Sequence, residues 1–154
     1  MRQRIICALA ALIAMLGISI AAIADTSSQD AADYRLAVMT SLKGHMVAAS
    51  MIVRGLVEDN GYLAKHAQGM ANSVGEIHRV FEEGSNIGES KALPAVWENA
   101  EEFSAAIAKA EEASAAFADV AAGGGGEAEA IGGAFRNVGM SCRGCHDDFR
   151  LSDD

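Results

Sequence analysis

One short run, Cys142-Arg143-Gly144-Cys145-His146, constrains this chain more than anything else in it. Two thiols three residues apart, followed at once by an imidazole, form the attachment pattern of a c-type haem. On a helix, positions i, i+3 and i+4 share one face. Cys142, Cys145 and His146 would then reach one flat macrocycle together, with the imidazole as an iron ligand. Other chemistry fits less well. A redox dithiol belongs near a βαβ pattern and at a helix start, and the sequence shows neither. A zinc site needs four ligands, and no second cysteine pair supplies them. A disulfide between Cys142 and Cys145 leaves His146 unexplained.

The N-terminal stretch reads as a targeting segment. Arg2 and Arg4 precede an apolar run from Ile5 to Ile20, and Ala22-Ile23-Ala24 is a small-x-small cleavage signal. Residues 1–24 are therefore expected to be a secretory signal peptide, and residues 25–154 a single domain exported to the periplasm. Cys7 lies inside the apolar run rather than after it, which does not suit a lipoprotein acceptor. The full chain carries a formal charge of −9. Removing Arg2 and Arg4 makes the exported part more acidic, which disfavours nucleic acid and anionic membrane surfaces as partners. It suits a partner with a basic docking surface.

The rest of the exported part is helical in pattern. Met39, Leu42, Met46, Ala49, Val53 and Leu56 step by 3, 4, 3, 4 and 3 along a first helix over 31–58. Asn60-Gly61 is its expected stop. Leu63, Ala67, Met70, Val74, Ile77 and Phe81 mark a second helix over 62–83, and 84–93 reads as a loop. Pro94 suits the first turn of a third helix, with Val96, Ala100, Phe103, Ile107 and Ala110 on its stripe. Ser114 and Phe117 continue that stripe. Glycines 123–126 break the pattern, and a fourth helix over 127–151 carries the cysteine motif. No stretch alternates with period two. The expected fold is all-α, an antiparallel four-helix bundle with covalent haem near the C-terminus.

Tyr34-Arg35 opening the first helix, and Cys-Arg-Gly-Cys-His-Asp-Asp-Phe-Arg ending the fourth, resemble the class II c-type cytochromes. That family includes cytochrome c′ and its low-spin relatives. The resemblance implies one haem c held by Cys142 and Cys145, with His146 as the proximal iron ligand. It places Met39 at the second axial position, as in the low-spin, methionine-ligated branch. Arg35, one turn before Met39, would pair with a haem propionate or snorkel at the helix end. Arg150 would serve as a basic residue beside the haem or as a cation at a helix C-terminus. His45, His66 and His78 lie off the apolar stripes and are expected at solvated or boundary positions.

The function expected from this resemblance is periplasmic electron transfer by a haem with His146 and Met39 on the iron, passing electrons to other redox proteins. It is not expected to be an enzyme. The alternative is a cytochrome c′ whose five-coordinate iron binds nitric oxide or carbon monoxide, with Met39 only lining the distal side. A second alternative is a haem-free helical adaptor with a Cys142–Cys145 disulfide. The resemblance also allows a homodimer. Gly132, Gly133 and Gly139 sit inside a helix at some expense in stability, for which close approach of a helix or haem is the expected reason.

Overall fold

The computed structural model describes residues 26–123 and 127–152, so the expected signal peptide lies outside the described residues. The chain order is α1 (Ser28–Val53), α2 (Tyr62–Val74), a 3-10 turn (Ile77–Arg79), α3 (Ala95–Glu98), α4 (Ala100–Ala122) and α5 (Ala128–Phe149). The four long helices form the bundle, and among the described residues there is no strand, only an isolated bridge between Ala92 and Arg150.

Each boundary has a local cause. Ser27 caps α1, its Oγ accepting from the Asp30 amide at 3.1 Å, so the helix begins earlier than its apolar stripe suggests. Gly55, at φ +69°, ends it. The Gly55 amide donates to Ile52 O and the Leu56 amide to Met51 O, the paired closure of a Schellman end. Leu56 therefore falls off the expected stripe and is 60% exposed. Asn60-Gly61 is instead the entrance to α2. Asp59 Oδ1 accepts the amides of Gly61, Tyr62 and Leu63, each at 3.0 Å. The second helical pattern is interrupted at Gly75, and Ile77 continues it as the 3-10 turn. Pro94 does open a helix, but only the single turn α3; Asn99, at φ −116°, resets the direction before α4.

Helix contacts run round a ring, α1 to α2 to α4 to α5. Neighbours are antiparallel: Tyr34 at the start of α1 meets Glu76 just beyond α2. Phe103 meets Phe149 and Phe117 meets Phe135 across α4 and α5. The apolar core has two parts. One holds Ala49, Leu63, Ala67, Met70, Phe117, Ala118 and Val138. The other holds Val74, Ile77, Val96, Phe103, Ile107, Ala110 and Phe149. Ser114 is buried in the stripe because its hydroxyl donates back to Glu111 O at 3.1 Å.

Candidate functional site

Three of the ring's seams are tightly packed, whereas α1 and α5 touch far less than any other neighbouring pair. The consequence is visible in the stripes. On α2 and α4 the expected apolar positions are nearly all buried, but Met39, Leu42 and Met46 of α1 remain half-buried. Cys142 and Cys145 of α5 are half-buried too. The cysteine motif thus lies on one side of the loosest seam and Met39 on the other. Met39 and Cys145 pack against the same apolar cluster, Met46 and Cys142 against the other, and Leu42 touches both.

That seam fits the group expected there. Its lining is apolar side chains and thiols, half covered on both sides, so a flat macrocycle between the helices would complete their burial. Cys142 and Cys145 are not joined to each other. Burial raises the Cys142 thiol above its ordinary value, and burial, then Cys142 and Asp148, push Cys145 up to about 11. A redox dithiol needs the opposite shift. Thiols held this way are poor nucleophiles at neutral pH, unlike those of a redox dithiol. His146 stands in the last turn of α5 with its side chain at the surface.

Arg35 is almost fully buried, at 6% exposure, beside this seam. Its Nη1 donates to Val80 O at 3.2 Å and Ser85 Oγ at 2.7 Å. Its Nη2 donates to Ser85 O at 2.8 Å and Ser90 Oγ at 3.0 Å. The guanidinium also lies 5.0 Å over the Phe81 ring. Burial pulls its proton affinity below the ordinary arginine value. All four acceptors are neutral, so it is neither a snorkelling side chain nor half of a protein ion pair. A buried cation in such a setting still favours an anion nearby. The loop it ties down leads to the Ala92–Arg150 bridge, where the Leu93 amide donates to Phe149 O at 2.9 Å and that of Leu151 to Lys91 O at 2.8 Å. Arg35 and the end of α5 are thus linked through one loop, a connection between residues far apart in sequence that no helical period announces.

The remaining candidates separate. Phe103 and Phe149 are core residues in edge contact, with centroids 5.0 Å apart. His78 is half-exposed, 3.8 Å from Glu111. His45 and His66 meet each other on the α1–α2 side rather than at the cysteines. No helix approaches Gly132, Gly133 or Gly139 closely. A Cβ at Gly132 or Gly133 would meet only the Arg136 guanidinium, at 3.6 and 3.8 Å, and one at Gly139 would meet nothing.

The family model for Cytochrome C′ matches residues 30–150. This chain belongs to the cytochrome c′ family. A cytochrome c′ of Pararhodospirillum photometricum is 34% identical over 119 residues, covering 77% of this chain and 94% of that one. The solved cytochrome c prime of Shewanella frigidimarina superposes with a TM-score of 0.75 at 25% identity, over 82% of this chain and 98% of the other. A nitric oxide complex of a variant cytochrome c prime from Alcaligenes xylosoxidans gives 0.74 at 22%, over 82% and 98%. Cytochrome c′ proteins carry one covalently attached haem c, so the haem-free adaptor is set aside.

Proposed function

We propose that this is a periplasmic cytochrome c′ whose haem iron is held by His146 on one side and left open on the other, where Met39 lines the distal wall without binding. The family match over 30–150 carries this reading. When bound, the haem supplies one-electron chemistry and, at an open iron position, affinity for small gases such as nitric oxide and carbon monoxide. The chain's own residues do the rest. Cys142 and Cys145 would hold the group on α5, and Met39 and Leu42 of α1, half-buried apolar side chains on the same cluster as Cys145, would help to exclude water from it. Arg35, its Nη groups bonded to Val80, Ser85 and Ser90, would favour a nearby propionate through its buried charge alone. No substrate is transformed, and electrons would come from a redox protein with a basic docking surface, matching the acidic chain.

Electron transfer with Met39 bound to iron is the second reading. It is favoured by one observation: Met39 packs on the same cluster as Cys145. Its thioether is therefore on the site's side of α1. Electron spin resonance separates the two readings. High-spin ferric iron that is unchanged in Met39→Ala supports the open site. A low-spin signal that turns high-spin in Met39→Ala supports ligation.

A further inference from the structure

His45 of α1 and His66 of α2 meet Nδ1 to Nδ1 at 3.1 Å, both rings half-buried. Their centroids are 5.4 Å apart and their planes tilted by 57°. The centroid separation exceeds the nitrogen gap by about two ring radii, so the nitrogens point straight at one another. That geometry is a hydrogen bond and excludes a shared metal. An ion at about 2.0–2.1 Å from each nitrogen on this line would need them about 4 Å apart.

Gly69 makes the contact possible. A Cβ there would stand 2.5 Å from Cε1 and Nε2 of His45 and 2.8 Å from its Cδ2. The His45 ring thus lies in a notch over bare α2 backbone, about one turn beyond His66. Any side chain at 69 would expel it.

The proton count follows from the contact. With both rings neutral, one Nδ1–H faces one lone pair. One added proton keeps a single donor facing a single acceptor. A second makes two N–H groups and two positive charges face each other, and the contact must open. The charged neighbours along the two helices are Lys43 and Lys65, the latter 4.2 Å over the Tyr62 ring. Both are cations. Among the described residues three nearby carboxylates pair elsewhere: Glu111 of α4 with His78, Glu76 beyond α2 with Arg79, and Asp147 of α5 with Arg143.

We propose that His45 and His66 form a proton-gated clasp between α1 and α2, closed while at most one ring is charged and open when both are. Acid would then loosen the helix that carries Met39 and Arg35. The proposal stands whichever group lies on the distal side of the iron.

Thermal unfolding of the haem-loaded protein tests it, at about pH 7.5 and about pH 5, across the range where imidazoles charge. The wild type is expected to lose about 4 °C more in Tm between these conditions than His66→Gln, whose amide can bond but not charge. Protection of the Leu63–Met70 amides, taken relative to the intrinsic exchange rate at each pH, should fall in acid in the wild type and not in the variant. Gly69→Ala, which evicts the ring by sterics alone, should lower Tm near pH 7.5 and remove the extra acid loss. Equal Tm losses in the wild type and His66→Gln, or in the wild type and Gly69→Ala, would overturn the clasp.

Discussion

Arg35 grips Ser85 with both ends of its guanidinium, Nη1 to the hydroxyl at 2.7 Å and Nη2 to the carbonyl at 2.8 Å. The two residues are fifty positions apart, and the grip sets the loop that pins the last turn of α5. Arg35→Ala should therefore destabilise the protein by about 2–4 kcal/mol, because it strands buried carbonyls of Val80 and Ser85. Arg35→Lys should recover only part of that, since an ammonium does not reproduce the planar fork. Urea denaturation of the three proteins provides the check. Equal stability of Arg35→Ala and wild type would mean that the loop needs no anchor.

Phe117 is fully buried, at 0% exposure, where α4 meets α2 and α5. Phe117→Ala should cost about 3–5 kcal/mol. Met39→Ala, at a half-buried site, should cost less than that. The ranking can be read from midpoints of the same urea curves; a larger loss at Met39 would show that α1 is packed more tightly than its seam implies.

The buried thiols give a pH dependence to the haem-free chain. Cys145 is pushed up to about 11 on folding, so the folded state holds its proton more tightly than the unfolded one. The resulting stability is complete below about pH 8.5, the ordinary thiol value, and is lost as pH rises through about 11. In the haem-loaded protein both sulfurs are thioethers and this loss should vanish. Alkaline unfolding of the two forms, followed by circular dichroism, makes the comparison. A similar alkaline loss in the haem-loaded form would assign it to other groups.

The homodimer that the family resemblance allows would find an apolar face on α1. α1 is long and apolar enough to span a membrane by length and composition, yet little of it is buried. Leu36, Val47 and Met51 are 60%, 52% and 42% exposed, and Gly44 between them opens onto free space. Sedimentation is expected to show a dimer that Val47→Glu converts to monomers. A monomeric wild type at high concentration would rule this face out as a self-contact.

The bundle was legible because two of the four long helices carry stripes that the structure buries almost intact, from Leu63 to Val74 and from Phe103 to Phe117. The cysteine motif was legible because its spacing is local. Helix ends were read less well. Gly55 stops α1 through its left-handed backbone, but the period continues past it to Leu56, and period alone could not show which glycine ends the helix. Long-range polar contacts left no periodic trace. Arg35 to the loop and His45 to His66 join positions on different elements, where only the folded chain brings the atoms together. The α5 glycines invited close approach of a helix or haem, and at Gly139 no helix supplies it.

The visible spectrum of the reduced protein, before and after carbon monoxide, tests the open distal site most directly. High-spin, five-coordinate iron that shifts on adding the gas is the predicted result. A six-coordinate, low-spin spectrum that ignores carbon monoxide would contradict it and place Met39 on the iron.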